Sequence, residues 1–237
     1  MNQPGLAPGL VERVRATGRD LPGGLAAFDA DGTLWRDDVG EAFLRHLVQL
    51  GWVKLPDGTD PYAAYQREVE RDKVQGYAYA AQLQAGLVAT DVSAEAGRFA
   101  PRWVKQRLVS ATQALRALCE EVGLVPVVIS ASALAIVCAA APLAGFAPER
   151  CFGIETRTDA KGRFTERLVL PLTYAEGKVA VAFKLGKLAL AVGDSFTGDL
   201  PLLNAARVAV VVAPLRGGGP LADEAKRRSW PLLAQDS

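Results

Sequence analysis

Histidine is almost missing from this chain: among 237 residues there is one, His46. That count excludes a His-rich metal site. A Ser-His-Asp triad would have to rest on a single imidazole inside a helical pattern, so His46 reads as a surface or half-buried helix residue. Cysteine is scarce too. Cys119, Cys138 and Cys151 are odd in number, lack metal-ligand spacing and fall in apolar runs, which reads as reduced core residues of a cytosolic protein. Charge of one sign is missing: 27 basic and 26 acidic side chains leave +1, so neither a nucleic-acid nor a membrane partner is expected. Long apolar stretches are missing as well. The most apolar window, Val125 to Ala144, is interrupted by Pro126, Ser130, Ser132 and Pro142, and no membrane span is expected. Glu12, Arg13, Arg15, Arg19 and Asp20 stand where a signal peptide needs an apolar core, so the expectation is no secretion signal and a cytoplasmic location.

What is present is an ordinary globular composition, half hydrophobic, enough for one large domain or one domain plus a smaller one. Four near-continuous apolar runs, Leu25–Phe28, Leu124–Ile129, Leu188–Val192 and Val208–Val212, read as buried parallel strands. Helical patterns fall at Ala111–Val122, Ala133–Ala140, Ala175–Phe183 and Leu200–Ala205. This alternation predicts an α/β fold with a doubly wound, mainly parallel sheet, whose ligand site lies at the carboxyl ends of the strands. From Trp35 to about Leu108 strand-like runs give way to helical patterns at Val39–Leu50, Pro61–Val74, Tyr77–Leu87 and Ser93–Leu108. The expected organisation is therefore a core domain of residues 1–34 and 109–237, with 35–108 inserted as a small helical cap. Cys151 to Leu168 reads as a hairpin turning at Asp159–Gly162.

The chemistry gathers at strand ends. In "LAAFDADGTLW" the first strand runs directly into Asp29 and Asp31, one residue apart. Burying unpaired carboxylates is costly, so these acids either meet water or hold a cation and do chemistry. "VVISAS" puts Ser130 past the second strand, and "LAVGDSFTGDLP" puts Asp194 past the third with Asp199 five residues on. Lys178, in "YAEGKVAV", falls near the start of the preceding helix. The expected topology brings all six to one sheet edge.

"DADGTLW", the serine of "ISAS", the lysine of "EGK" and "GDSFTGD" together resemble the four ordered motifs of the haloacid dehalogenase superfamily of phosphatases, over roughly Leu25 to Ala213. The insertion between the first two motifs, with "EGK" and "GDSFTGDLPLL", resembles the phosphoserine phosphatase-like branch. The resemblance implies a phosphomonoester hydrolase acting on a small phosphorylated metabolite, with Asp29 as nucleophile forming an aspartyl-phosphate and Asp31 as general acid, then base. It further implies Mg2+ held by the Asp29 side chain, the Asp31 carbonyl and Asp194, with Asp199 behind them. Ser130 and Lys178 would bind phosphoryl oxygens, and Thr33 would join them or support Asp29.

Simpler roles stand beside these. Ser130 suits the N-cap of the helix after it, Lys178 a surface lysine, and Asp199 the cap of the helix at Leu200. Phosphotransfer to an acceptor other than water uses the same groups, and a non-catalytic phosphometabolite-binding protein would keep the fold without needing Asp31. The sequence departs from phosphoserine phosphatase where that enzyme recognises its substrate: Asp38 replaces a glutamate, no arginine lies near Gln84–Gly86, and "ISAS" replaces Ser-Gly-Gly. Asp38 and Glu41, with the aromatics of the insertion, are candidates for selecting the substrate, either through a cationic head group or as part of a helical core. A monomer or a homodimer is expected.

Overall fold

Residues 5–214 and 218–235 are described by a computed structural model. The charges of the first twenty residues form the outer side of α1 (Pro8–Asp20), which buries Leu10, Val11 and Val14 while Glu12 and Arg13 stay exposed. Then comes β1 (Leu25–Phe28), buried along its whole length. Four helices follow: α2 (Val39–Gln49), α3 (Pro61–Arg71), α4 (Lys73–Gln82) and α5 (Ala89–Val104). The helix expected over Pro61–Val74 breaks at Asp72, whose backbone is extended and whose carboxylate accepts the Gln75 N–H at 3.1 Å. A side-chain cap thus starts α4 four residues before Tyr77. The break lets α4 fold back on α3, where Gly76 sits so close that a Cβ would lie 2.5 Å from the Val69 Cα.

After α6 (Ser110–Glu121) the chain runs through β2 (Val125–Ala133), α7 (Leu134–Ala140) and β3 (Cys151–Ile154). Cys151–Ile154, read above as a hairpin arm, instead pairs parallel with β2. The hairpin is β4 (Thr156–Thr158) and β5 (Phe164–Leu168), turning where expected, with the Asp159 carboxylate accepting from Lys161 N at 2.8 Å. The remaining elements are α8 (Glu176–Leu185), β6 (Leu188–Gly193), α9 (Leu200–Ala205), β7 (Val208–Ala213), α10 (Pro220–Arg227) and β8 (Leu232–Ala234). The last two had no sequence reading.

The main sheet has the order β3-β2-β1-β6-β7-β8, with every neighbouring pair parallel. It is the doubly wound sheet expected, and β1 stands where strand order reverses, the place where such sheets open a crevice. Alternate residues of β1 serve opposite cores. Ala26 and Phe28 join Leu10, Phe43, Ala96 and Leu115 on one face, and Leu25 and Ala27 join Ala182, Leu203 and Leu221 on the other. Helices α2 and α5 thus share a core with the sheet, and α5 rests on α7. The ends of the inserted stretch meet where Trp35 bridges Leu108. His46 is half-buried on α2, with its Nε2 2.7 Å from Glu95, as its helical setting suggested. The three cysteines are free, and burial pushes the Cys119 thiol up to about 12, which makes it inert. No helix of the described residues is long and apolar enough to cross a membrane.

Candidate active site

Strand register assembles the site. Phe28 lies level with Val128 on one side and Val192 on the other, so the next residues of three strands, Asp29, Ile129–Ser130 and Gly193–Asp194, reach the same edge together. The Asp29 N–H bonds to the Val192 carbonyl at 2.9 Å, carrying the ladder one step past the strand. Gly32 then turns the chain with φ +77°, and a Cβ there would sit 2.0 Å from Asp194 Oδ2. Only glycine accepts both that backbone and that approach.

Asp29 is 6% exposed and held on both oxygens: Lys178 Nζ donates to Oδ1 at 2.5 Å and Thr33 Oγ1 to Oδ2 at 3.1 Å. Lys178, 2% exposed, also donates to Asp199 Oδ1 at 2.7 Å. Burial favours a neutral amine, yet Asp199 and Asp29 outweigh it and hold the ammonium well above its ordinary value. Lys178 is therefore not a surface lysine. The second oxygen of Asp199 accepts the N–H groups of Asp194 and Ser195 at 3.1 and 2.9 Å, which shapes the loop before α9. The Asp199 side chain does not cap α9.

Asp31 faces other partners. Its Oδ1 accepts from Trp35 Nε1 at 2.8 Å and Val39 N at 2.7 Å, and its Oδ2 accepts from Ser132 Oγ at 2.7 Å. Ser130 lies deeper, fully buried; its Oγ accepts the Ser132 N–H at 3.1 Å and comes within 3.5 Å of Asp31 Oδ2. It does not cap α7. Ser132 was not singled out from sequence, although alternation along "SAS" puts it on the same side as Ser130.

Oxygens of Asp29, Asp194 and Asp199 lie within 4.8 Å of one another. One ammonium, Lys178, stands against these acids and Asp31 in a cavity of about 380 Å3. The surplus shows in the protonation equilibria. Burial, then Asp199, pushes Asp29 up to about 7 against the pull of Lys178. Burial and Asp29 raise Asp194 well above the carboxylate range, and burial raises Asp31.

The rim of the cavity includes Asp38, Tyr77 and Tyr174. Asp38 caps α2 by accepting the Glu41 N–H at 2.7 Å, and burial followed by Asp31 holds its carboxyl well above the usual range. Glu41 instead bonds the Tyr62 hydroxyl and stays out of the catalytic cavity. Tyr77 and Tyr174 pack with ring centroids 5.4 Å apart. Gln235, just past β8, donates to the Gly32 carbonyl at 2.6 Å; a residue so distant in sequence carries no signal that would link it to the site.

The same architecture occurs in solved structures. A protein of unknown function from Bordetella pertussis Tohama I superposes with a TM-score of 0.73 over 88% of this chain and 97% of its own, at 20% identity. A HAD family hydrolase from Salmonella enterica serovar Typhi does so with 0.60 over 96% and 77%, at 17% identity. A phosphoserine phosphatase, captured as an analogue of its phospho-aspartyl intermediate, gives 0.56 over 91% and 94%, at 14% identity. At such identities the likeness is one of fold. No curated protein matches the chain. The sequence profile described as haloacid dehalogenase-like hydrolase matches residues 26–204, the span that carries Asp29, Asp31, Ser130, Lys178, Asp194 and Asp199. The chain belongs to that family.

Proposed function

We propose that the protein is a Mg2+-dependent phosphomonoester hydrolase that passes the phosphoryl group of a small phosphorylated metabolite through Asp29. The observation that carries this reading is the setting of the Asp29 carboxylate. It is fixed by Lys178 and Thr33 at the end of the central strand and opens on a cavity walled by further acids. An all-oxygen cluster with surplus negative charge suits a hard divalent cation. Asp29, Asp194 and the Asp31 carbonyl would hold it, with Asp199 behind them, where it pairs with Lys178 and accepts the Asp194 and Ser195 N–H groups. Bound there, Mg2+ would offset the repulsion of these carboxylates for a phosphoryl group.

The chain's own groups divide the remaining work. An Asp29 oxygen attacks phosphorus as the ester P–O bond breaks, and Asp31 gives its proton to the departing alkoxide. Asp31 then takes a proton from water; the water oxygen attacks the acyl phosphate, and inorganic phosphate leaves with Asp29 restored as a carboxylate. Burial keeps Asp31 protonated at higher pH than an ordinary carboxyl, which suits an acid, while Ser132, Trp35 and Val39 hold its ionised form for the base step. Lys178 keeps Asp29 in place and offers its positive charge to the transferring oxygens.

Phosphate release from a panel of phosphomonoesters, with Mg2+ and with chelator, tests the reading. Asp29→Asn is expected to lower turnover about 10³-fold or more in a chain that still folds, since Lys178 keeps its pair with Asp199. Substantial turnover by that variant would remove Asp29 as nucleophile, and silence across the whole panel would remove the hydrolase. Product analysis with an added alcohol acceptor separates hydrolysis from phosphotransfer.

A further inference from the structure

Shared walls join the catalytic cavity to two others. Asp38, Tyr77 and Ser132 line both it and a throat of about 20 Å3, room for about one water. At the far end, Gln84 and Ala133 line both the throat and a third cavity of about 520 Å3. This chamber lies among α4, α5, α7 and the β4–β5 hairpin. Its apolar walls include Ala81, Gly97, Ala135, Ala139, Ile154 and Phe164, and the alanines and glycine leave the space open. Ser93, Glu155, Thr156 and Thr158 form a polar side. Gln84 is 5% exposed, and it lines both the throat and the chamber, so its amide is the polar side chain at the passage between them. An amide facing two cavities offers a donor and an acceptor to a polar atom of a ligand that spans them. Tyr77 and Gln84 are side-chain walls of the throat, and rotation about their χ angles changes its width without moving the backbone.

We infer that the alcohol part of the substrate runs from the phosphate site past Tyr77 and Gln84 into this chamber, so that the substrate is a phosphomonoester of an elongated alcohol with a polar group midway and an apolar end. The inference rests on the proposed hydrolase and names its substrate class.

Binding of methyl-, hexyl- and decylphosphonate to the Mg2+-loaded protein, measured by titration calorimetry, tests it without needing turnover. Affinity is expected to rise about tenfold or more from hexyl to decyl, since each methylene leaving water adds to binding. Gly97→Leu provides the block: a Cβ at Gly97 meets nothing within 4 Å, the site is helical, and leucine favours a helix over glycine. That variant should bind methylphosphonate as the wild type does and lose the gain for the decyl chain. Affinity indifferent to chain length, or Gly97→Leu weakening all three ligands equally, would overturn the inference. Phosphate release from methyl and decyl phosphate reads the hydrolase separately: no release beside length-dependent binding would sink hydrolysis and leave the chamber.

Discussion

Replacing Lys178 with methionine removes the one ammonium at the centre of the acid cluster while keeping most of the side-chain volume. Its Nζ pairs with Asp29 and Asp199 at 2.5 and 2.7 Å, and the three side chains are 2%, 8% and 1% exposed. Breaking a buried ion pair by removing one partner costs about 3–5 kcal/mol, because the charge left behind has neither water nor counter-ion. A folded domain is stable by about 5–15 kcal/mol, so Lys178→Met should forfeit about a fifth or more of the total. The assay is urea denaturation in chelator at pH 7, with the midpoint and slope compared between variants. Arg207→Met is the control: its pair with Asp20 is 49% and 52% exposed, and its loss should change stability little. Adding Asp199→Asn to Lys178→Met should recover part of the loss, since one stranded carboxylate disappears. If Lys178→Met behaves like Arg207→Met, the two ion pairs do not hold the site together and the electrostatic account of Asp29 fails.

Three further outcomes are expected. Ser132→Ala takes from Asp31 the hydroxyl that donates at 2.7 Å; losing a donor to the carboxylate raises its pKa, so kcat should fall about 10- to 100-fold and a limb of the pH–rate profile should move alkaline. An unchanged profile would show that Ser132 does not tune Asp31. Gly32→Ala forces a side chain onto φ +77° and to within 2.0 Å of Asp194 Oδ2, so phosphate release should vanish, and wild-type kcat in that variant would contradict the loop geometry. The chelated protein should lose stability as pH rises. The Asp29 pKa goes up to about 7 on folding, against roughly 4 unfolded, so the folded state binds the extra proton and its contribution, whole below pH 4, is lost by pH 7. Melting temperatures at pH 5 and 7.5 should show this decline, smaller in Asp29→Asn and offset by Mg2+; a rise over that interval in chelator would refute the sign.

The core sheet was legible because its strands are buried on both faces. Leu25–Phe28, Leu188–Val192 and Val208–Val212 read as uninterrupted apolar runs, and parallel pairing between two cores produces that signal. The helix break at Asp72 was less legible, since a capping aspartate and an exposed one look alike in sequence. β3 was misassigned for a similar reason: Cys151–Ile154 is short, and nothing local distinguishes a strand joining a distant sheet from one arm of the adjacent hairpin. In the site, Asp29 and Asp194 were legible through the strand ends that carry them, whereas Lys178 and Asp199 lie at helix starts and were read through the family resemblance. Thr33 proved to be bound to Asp29. Ser132 and Gln235 were not read because their roles are hydrogen bonds made across 101 and 203 residues of chain.

Strand alternation alone does not explain the one-residue gap between the two acids. Alternation would aim Asp29 and Asp31 the same way, but β1 ends at Phe28 and the chain is already turning toward Gly32. The two carboxylates consequently answer to different parts of the molecule. Asp29 is tied to Lys178 on α8 and to Thr33 of its own loop, elements fixed by the parallel sheet. Asp31 is tied to Trp35, to the first N–H of α2 at Val39, and to Ser132 at the end of β2. Nearby Gly40 approaches Ser132 so closely that a Cβ would lie 2.2 Å from its Oγ. The proposed nucleophile is thus held by the core, whereas the proposed acid is held where α2 begins. A shift of α2 relative to the sheet would change the hydrogen bonds of Asp31 and leave those of Asp29 intact. Helix α2 therefore stands in direct contact with the proposed proton-transferring group, and its influence on the reaction need not pass through the substrate.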